Sequence, residues 1–445
     1  MALTGLEIFK LLPKTNCKKC GMPTCLAFAM QLAQKKVSLD KCPFVSEEAK
    51  QALAAAAAPP MRKVVFGTGD KQAQIGAETV MFRHEEKFYN PTILAVTVSD
   101  KLGSEELKKR IESINALQFE RVGIKIKAGA IAVINDSGCA DTFAAVAAAV
   151  NESGSAALIL CSDLPQAIAA AVAKTAGARA LIASAKTDTA EAMAKTAKEN
   201  SCPLVAKAAS VEELAELTEK IKQKGVEDIV LCLEGLGLRD QLYNLSRMRQ
   251  LALKKVFRPL GYPNISFVAY GNADTQAAEG IALVCKYSNI VVVDTTQPYA
   301  FLPMLTGVMN IYSDPQKPIQ VEPKVYSVGE PDENSPLMFT TNFSLTYYTV
   351  ESDVEASRIP SRILVVDTEG TSVLTAYSGD KLNERIVADA MAKNEVGKQV
   401  KHRKLIIPGY VAVMSGKLEE ATGWEIMVGP RESAMLPKYL QEVWQ

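Results

Sequence analysis

Eight short apolar runs recur along the middle of the chain, and a helix-like stretch separates each run from the next. The runs cover residues 93–96, 130–134, 157–160, 180–183, 203–206, 228–233, 265–269 and 290–293. Strands that are apolar throughout and alternate with helices are typical of a parallel sheet buried on both faces. Eight such units in about 220 residues predict a closed (β/α)8 barrel, a TIM barrel, over residues 61–312.

Shorter patterns refine this barrel region. Two β-rich runs, 63–66 and 78–82, flank glycine-rich sequence and predict a hairpin ahead of the barrel. Ser210 followed by Glu213 predicts a capped helix that runs to Lys224. Among polar residues after the strands, Asp136 and Asn272 are the best candidates for a small-molecule site, although helix caps and loop hydrogen bonds explain them more economically. His84 lies in the predicted hairpin, and we expect no function for it.

The chain changes character after residue 312. A linker rich in proline leads into an extended run over 338–350, then strand-like runs at 363–367, 405–407 and 424–428, with helices predicted at 383–393 and 430–444. This order predicts a small open α/β sheet of Rossmann type over residues 325–445. In such sheets ligands bind beyond the carboxyl ends of the strands.

Three loops of this C-terminal domain should meet where a ligand would bind. They are residues 340–346, 367–373 and 429–433, and the last leads into a helix that brings Leu436 close. Gly370 allows close approach of the backbone, and the N–H groups of Thr371, Ser372 and Val373 start a helix. Hydroxyl and amide groups suit a ligand rimmed by neutral amides. Phosphate is a weaker alternative because the spaced glycines of a dinucleotide fingerprint are missing, and ordinary turn chemistry is a further one.

Four cysteines near the N-terminus form a second pattern, Cys17-x2-Cys20-x4-Cys25-x16-Cys42, with Pro43 directly after the last. Three-plus-one spacing that ends in Cys-Pro favours a [4Fe–4S] cluster over structural zinc or plain reduced thiols, which stay open as alternatives. We predict a small cluster domain over residues 1–58. It contains a helix over 26–35 and a second helix that Ser46 caps, and it ends at a hinge, Pro59-Pro60.

Composition limits what the whole chain can do. Formal net charge is zero, which argues against nucleic-acid or bulk membrane binding through charge. No apolar run reaches the roughly 20 residues that span a bilayer, and no signal peptide is visible. Nine cysteines without a pairing pattern suit a reducing cytoplasm, and the five later ones are best explained as small core residues. The first 50 residues carry eight lysines against four carboxylates.

Together these patterns resemble the large (gamma) subunit family of the corrinoid/iron–sulfur protein of the reductive acetyl-CoA pathway. The resemblance rests on residues 16–29 with Cys42-Pro43, and on residues 340–346, 367–371 and 428–432. The N-terminal motif alone occurs in other electron-transfer proteins, but its combination with the C-terminal set is specific. The resemblance implies that Cys17, Cys20, Cys25 and Cys42 hold the [4Fe–4S] cluster. It also implies the residues that line a cobamide: Thr340, Thr346, Gly370, Thr371, Ser372, Val373 and Leu436.

The resemblance further implies a methyl carrier of a methyltransferase system, with no catalytic side chains of its own. In the family, cobamide Co(I) accepts a methyl group from methyltetrahydrofolate through a methyltransferase, and methyl-Co(III) delivers it to acetyl-CoA synthase. The cluster would reactivate Co(II) by reduction. Implied partners are a smaller TIM-barrel subunit in a heterodimer, the methyltransferase, acetyl-CoA synthase/CO dehydrogenase, and a reductive activator or low-potential electron donor.

One departure from wider corrinoid proteins bears on the cobalt. The Asp-x-His-x-x-Gly motif that supplies a lower axial histidine is missing, and His402 precedes a strand, where we expect it on the surface. The cobamide should therefore be base-off without a protein ligand, which eases reduction of Co(II). Two other functions compete with this one: an iron–sulfur electron-transfer subunit without corrinoid, and a barrel methyltransferase that acts on a pterin.

Overall fold

The computed structural model describes residues 5–33, 37, 39–46, 49–50, 59–121, 123–268 and 270–444. The chain divides into two compact units. The first comprises Met1–Phe119 and Lys127–Tyr312, and the second comprises Glu120–Ile126 and Ser313–Gln445. No helix among the described residues is long and apolar enough to cross a bilayer.

A nearly closed barrel of eight parallel strands dominates the first unit. Its strands are β3 (Ile93–Ser99), β6 (Ala130–Ile134), β7 (Ala157–Cys161), β8 (Leu181–Ala185), β9 (Leu204–Ala208), β10 (Ile229–Leu233), β11 (Ile265–Phe267) and β12 (Ile290–Val293). The sheet order is β10-β9-β8-β7-β6-β3-β12-β11, and a parallel bridge between Leu231 and Asn264 joins its two ends. The predicted TIM-like barrel is confirmed.

Helices follow the strands, as the alternating pattern predicted. They are Ser104–Asn115, Ala140–Ser153, Pro165–Lys174, Ala190–Glu199, Val211–Gln223, Leu238–Leu253, Ala273–Cys285 and Pro298–Ile311. The predicted cap is present, because the Ser210 side chain accepts the backbone N–H of Glu213. A second hairpin, β4 (Gln118–Arg121) with β5 (Ile124–Lys127), interrupts the alternation, and sequence analysis missed it.

The hairpin ahead of the barrel exists, but the prediction of its second strand was wrong. β1 (Lys63–Phe66) pairs antiparallel with β2 (Ala73–Gly76), and residues 78–82 form no strand. Val64, Phe66 and Ile75 are buried among residues that start the barrel strands, so the hairpin covers the amino-terminal end of the barrel. The run 78–82 fails as a strand because Glu78 is buried in an ion pair with Arg249 at 3.0 Å, which holds this segment against a helix.

The second unit contains a five-stranded sheet with helices on both faces. Its strands are β13 (Val325–Val328), β14 (Leu337–Thr341), β15 (Ser361–Val366), β16 (Lys404–Ile407) and β17 (Glu425–Val428), in the order β13-β15-β14-β16-β17. The last four strands are parallel, and β13 runs antiparallel at one edge. Its helices are Ser344–Ser357, Val373–Ser378, Glu384–Lys393, Val396–Gln399, Ser415–Thr422 and Leu436–Val443.

Alternating residues of β15 enter different cores. Leu364 and Val366 pack with the helix Glu384–Lys393, whereas Ile363 and Val365 pack with the helix Ser344–Ser357. The sheet is therefore buried on both faces, which explains its nearly continuous apolar strands.

Two predictions for this unit were wrong in extent. The run 338–350 is not one extended segment, since β14 ends at Thr341 and a helix starts at Ser344. Its residues have high strand propensity, but Tyr347 and Val354 lie on the same face of the helix and are buried in the same core. This packing overrides the strand propensity. The final helix begins at Leu436 rather than at residue 430, after a 3-10 turn over Ser433–Met435.

The N-terminal segment contains the helices Gly5–Leu11 and Cys25–Ala33 and a 3-10 turn at Leu39–Lys41. Ser46 accepts the N–H of Ala49 at 3.1 Å, as expected for a helix cap. The alanine-rich continuation at 51–58 lies outside the described residues, so the predicted hinge at Pro59-Pro60 stays a prediction.

Candidate functional site

A cavity of about 330 Å³ opens in the second unit at the carboxyl ends of β14 and β16. β14 pairs with β15 on one side and with β16 on the other, so chain connections leave this point in opposite directions. Such a switch in strand order creates the crevice where open α/β sheets bind ligands. The sequence predicted a ligand site at this edge, and the cavity lies there.

The wall of the cavity contains a buried hydroxyl without a hydrogen-bond partner. Thr340 lines the cavity, and its Oγ1 has no partner among the described residues. The hydroxyls of neighbouring Thr341 and Ser344 are likewise buried and unpartnered. An unsatisfied buried polar atom costs about 1–3 kcal/mol, so a ligand that hydrogen bonds to Thr340 would relieve part of this cost.

One buried amide fixes the loop beside the cavity. The Asn342 Oδ1 accepts the N–H of Thr368 at 3.0 Å and the N–H of Gly370 at 2.9 Å, and the Thr368 hydroxyl also donates to it. The Asn342 Nδ2 donates to Asp367 at 2.9 Å and to Gln320 at 3.2 Å. The end of β14 therefore holds the loop that follows β15 in one conformation.

The predicted cofactor residues divide into two groups. Five of them line the cavity: Thr340, Thr346, Ser372, Val373 and Leu436. Gly370 and Thr371 do not line it. Gly370 has a φ of +74° and holds the turn through Asn342, while the Thr371 hydroxyl donates to the Thr368 carbonyl at 2.7 Å. These two residues shape the loop that carries Ser372 and Val373.

Sequence reasoning missed part of the lining. Pro408 and Tyr410, which follow β16, line the cavity, as do Arg431 and Glu432 of the loop 429–433, which the sequence had already placed at this site. The Tyr410 hydroxyl donates to the Glu432 carboxylate, and this hydrogen bond raises the pKa of Tyr410. The position of Pro408 and Tyr410 in the lining depends on the close approach of Gly409 to the backbone of residues 429–431, which no local sequence pattern reveals.

His402 is partly buried, so the expectation of a surface position was wrong. Its Nε2 lies 2.9 Å from the Ser335 carbonyl oxygen, its Nδ1 accepts the N–H of Lys404, and its ring packs edge-on against Trp444. The imidazole thus has a structural role, and it is not part of the cavity lining.

The four N-terminal cysteines are only partly brought together by the fold. Cys25 and Cys42 are buried in one small core, Cys20 packs against it, and Cys17 is exposed. Gly21 adopts a φ of +80° in the turn after Cys20, and the N–H of Asn16 donates to the Cys25 sulfur at 3.4 Å. Among the described residues, however, no three Cys, His, Asp or Glu side chains stand close enough to hold a metal ion. Four cysteine thiolates are the donor set of an iron–sulfur cluster, so these residues fit one by their chemistry.

The later cysteines that lie in or beside strands follow the core interpretation in two cases. Cys202 and Cys232 are buried, and burial raises the pKa of the Cys232 thiol to about 12. Cys161 is half-buried, and the core interpretation was wrong for Cys139 and Cys285, which are exposed. A thiol with so high a pKa as that of Cys232 is inert at neutral pH.

The carboxyl ends of the barrel strands carry polar side chains that bond to each other. Asn272 caps a helix by accepting the N–H of Thr275, and Asp136 accepts a hydrogen bond from Ser99, as the economical interpretation predicted. Asp163, Lys186, Lys207 and Glu234 form a compact network of ion pairs. Burial opposes the charged form of Asp163, but the hydrogen bond from Lys186 and the charges of the two lysines leave its pKa lowered.

Family comparisons match almost the whole chain. The CdhD model, described as "CO dehydrogenase/acetyl-CoA synthase delta subunit", matches residues 63–440, and a model described as "Putative Fe-S cluster" matches residues 12–44. The corrinoid/iron–sulfur protein large subunit of Moorella thermoacetica is 46% identical over 98% of this chain and 97% of its own length. The chain belongs to the corrinoid/iron–sulfur protein large-subunit family.

A second relative carries a different name. The acetyl-CoA decarbonylase/synthase complex subunit gamma of Methanothermobacter thermautotrophicus is 36% identical over 100% of this chain and 99% of its own length. Among solved structures, the 7,8-dihydropteroate synthase from Vibrio fischeri matches with 11% identity and a TM-score of 0.40. It covers 57% of this chain and 100% of its own chain.

Proposed function

We propose that this large subunit is a methyl carrier that binds a corrinoid in the cavity between β14 and β16. The observation that carries the proposal is the unpartnered Thr340 hydroxyl in the wall of a cavity at the switch point of the sheet. A bound corrinoid would supply a cobalt centre that accepts and releases a methyl group. The names of the relatives, which refer to a corrinoid and to the acetyl-CoA decarbonylase/synthase complex, support this assignment.

Each group of residues would have its own role toward the corrinoid. Thr340, Thr346 and Ser372 would hydrogen bond to its amides, while Val373 and Leu436 would contact its apolar surface. Gly370 and Thr371 would act indirectly, by holding the loop that presents Ser372. Neither His84 nor His402 is among the described residues that line the cavity, and we propose a base-off cobamide without a protein ligand. Residues 325–445 would form this Rossmann-like corrinoid domain.

Cys17, Cys20, Cys25 and Cys42 would hold a [4Fe–4S] cluster within a domain over residues 1–58. Cys25 and Cys42 already share one core, and the Asn16 N–H is directed at the Cys25 sulfur, a contact that stabilises a thiolate. A low-potential cluster supplies single electrons, which suits the repair of cobalt that has lost its reduced state. In this role the subunit would require a low-potential electron donor or a reductive activator.

Partners would be needed on the open side of the cavity. Leu345 and Leu374 line the cavity, yet they are 67% and 47% exposed. Apolar side chains at the mouth of a ligand site are typical of surfaces that a second protein covers. We propose that the smaller barrel subunit covers this side in a heterodimer, and that the methyltransferase and acetyl-CoA synthase/CO dehydrogenase are the methyl donor and acceptor partners, in the cytoplasm.

Anaerobic purification of the complete complex, followed by cobalt, iron and zinc analysis and visible spectroscopy, tests this function. We expect cobalt, iron, and a corrinoid absorption band that changes on reduction. Zinc in place of iron would refute the cluster assignment. A complex with iron but without cobalt would instead support an electron-transfer subunit without corrinoid. Binding of methyltetrahydrofolate by the isolated chain would support a pterin-dependent methyltransferase.

A further inference from the structure

The cavity between β14 and β16 has two charged side chains in a lining that is otherwise uncharged. Among the described lining residues, Arg431 is the only cation and Glu432 is the only anion, and both are exposed. The other polar side chains of the lining are hydroxyls. A single pair of charges at the opening of a neutral site contributes specificity, because it favours a ligand with a charge at one point.

Backbone hydrogen bonds fix the loop that carries Arg431. The Gly409 N–H donates to the Pro430 carbonyl oxygen at 3.1 Å, and the Gly429 N–H donates to the Ile407 carbonyl oxygen at 2.9 Å. A Cβ at Gly409 would lie only 2.8 Å from the backbone nitrogen of Arg431. The segment after β17 is therefore held against the end of β16, and the Arg431 side chain starts from a fixed point beside the cavity.

The two charges differ in what they contact. The Tyr410 hydroxyl donates to the Glu432 carboxylate, whereas no carboxylate among the described residues pairs with the Arg431 guanidinium. The hydrogen bond to Glu432 raises the pKa of Tyr410, and the positive charge of Arg431 opposes this rise. The guanidinium therefore acts on the same part of the opening, and its hydrogen-bond donors are available to an incoming anion.

A corrinoid offers one matching anion. Its side chains are neutral amides, apart from the tail that joins the ring to the lower base through a phosphodiester. A planar guanidinium can donate two parallel hydrogen bonds to two oxygens of such a group. An anion that leaves water without a partner of this kind loses solvation that nothing replaces. The charge of the tail and the free cation of the lining are thus complementary.

We infer that Arg431 binds the phosphodiester of the corrinoid tail, so that the cavity selects complete cobamides over corrinoids without a nucleotide. This inference rests on the proposed function, because it requires a corrinoid in the cavity, and it adds a residue that determines specificity. Glu432 opposes the selection through its own negative charge. The two side chains should therefore affect affinity with opposite sign, and only for ligands that carry the phosphate.

The test measures dissociation constants of the full-length chain, freed of corrinoid and kept anaerobic, by calorimetry. Three probes in the Co(II) state are compared: cobalamin, cobinamide phosphate, which has a phosphate but no base, and cobinamide, which has neither. We expect Arg431→Gln to weaken the binding of cobalamin and cobinamide phosphate by about tenfold and to leave cobinamide unaffected. Arg431→Lys keeps the charge without the planar fork and should restore part of the loss.

Two further variants control for charge. Glu432→Gln removes the anion but keeps an oxygen that can accept from Tyr410, and it should strengthen cobalamin binding by about twofold without changing cobinamide binding. Arg385→Gln removes a cation whose side chain is 86% exposed and does not line the cavity, so it should change none of the constants. Added salt should reduce the preference of the wild type for cobalamin over cobinamide, because it screens exposed charges.

The comparison of ligands keeps this inference apart from the proposed function. Equal losses for cobalamin and cobinamide in Arg431→Gln would overturn it, since Arg431 would then support the cavity wall rather than bind phosphate. If Arg431→Gln is less stable than the wild type in urea, Arg431→Lys decides, with a smaller loss confined to the two phosphate-bearing probes. A wild type that binds cobinamide as tightly as cobalamin leaves the methyl-carrier function intact and refutes only the role of Arg431. A wild type that binds no corrinoid contradicts the proposed function itself.

Discussion

The side-chain oxygen of Asn342 accepts the backbone N–H of Gly370 at 2.9 Å, and this hydrogen bond connects two loops of the candidate site. Asn342 follows β14, whereas Gly370 lies in the turn after β15. The residues after this turn, Ser372 and Val373, line the cavity. A buried amide that contacts no part of the cavity therefore determines where two lining residues lie.

Asn342→Asp should destabilise the second unit and weaken corrinoid binding. The new carboxylate oxygen would replace the Nδ2 that donates to Asp367, so two acceptors would face each other, one on the buried side chain of residue 342 and the other on the exposed side chain of Asp367. We expect a loss of about 1–3 kcal/mol in the free energy of unfolding. Both tryptophans, Trp424 and Trp444, belong to the second unit, so their fluorescence reports its unfolding in urea. Asn334→Ala, at an exposed position, is the control and should change neither quantity.

Thr340→Val should weaken corrinoid binding without lowering the free energy of unfolding. Valine has a similar shape and removes a buried hydroxyl without a partner, so the protein without corrinoid should be equally stable or about 1 kcal/mol more stable. If the hydroxyl bonds to the corrinoid, affinity should fall by roughly five- to tenfold. Thr341→Val is a matched control, since Thr341 is also unpartnered but does not line the cavity. Equal affinities of the two variants would contradict a role for Thr340.

The sequence predicts elements that follow from a local pattern better than elements that depend on tertiary contacts. The barrel strands follow from apolar runs alone, because a strand buried on both faces has no polar alternative, and the runs 130–134 and 290–293 match β6 and β12 to the residue. The helix Ser344–Ser357 was missed because its tyrosines and threonines favour strands. Only the packing of Tyr347 against the sheet, which is a tertiary contact, makes it helical.

Predictions for the candidate site show the same difference between local patterns and tertiary contacts. Residues next to strand ends in the sequence, such as Thr340 and Ser372, could be predicted because parallel strands end at one edge. The indirect role of Gly370 could not, since it depends on the side chain of Asn342, 28 positions away. Tyr410 was missed because its position in the lining is fixed by the close approach of Gly409 to the backbone of residues 429–431, which no local pattern reveals.

Gly370→Ala should destabilise the second unit. Gly370 has a φ of +74°, and a Cβ there would lie 2.6 Å from the Gln320 side chain. We expect a loss of about 1–2 kcal/mol, measured by tryptophan fluorescence in urea. Gly416→Ala is the control within the helix Ser415–Thr422, where a Cβ meets nothing within 4 Å. That change should instead stabilise the protein, by up to about 1 kcal/mol. Loss of stability in both variants would argue against strain at Gly370.

Cys20→Ala should remove the cluster and spare the cobalt. Iron should fall from about four atoms per chain to a small residue, while the cobalt content stays constant. Methyl uptake by complex that has been reduced chemically should continue, but reactivation through an electron carrier should stop. Cys285→Ala, at an exposed cysteine outside the cluster motif, should behave as the wild type does. Equal loss of methyl uptake and of reactivation in Cys20→Ala would refute the division of roles.

Tyr312→Phe should remove part of the alkaline sensitivity of the barrel. Tyr312 is the last residue of the first unit, and burial raises the pKa of its phenol from 10.0 to about 12. The folded chain therefore keeps the proton to higher pH than the unfolded chain does. The stability that this proton supports is complete below about pH 10 and is lost as the pH rises towards about 12. At about pH 11 the wild type should have lost roughly 1 kcal/mol in the free energy of unfolding through this residue, and the variant should not.

Urea unfolding followed by far-ultraviolet circular dichroism at about pH 8 and about pH 11 measures the difference, and Tyr299→Phe, at an exposed tyrosine, is the control. The hydrogen bond between Tyr312 and Thr92 is lost at both pH values, so it cancels in the comparison. An equal decline of wild type and Tyr312→Phe between the two pH values would show that Tyr312 does not cause the sensitivity.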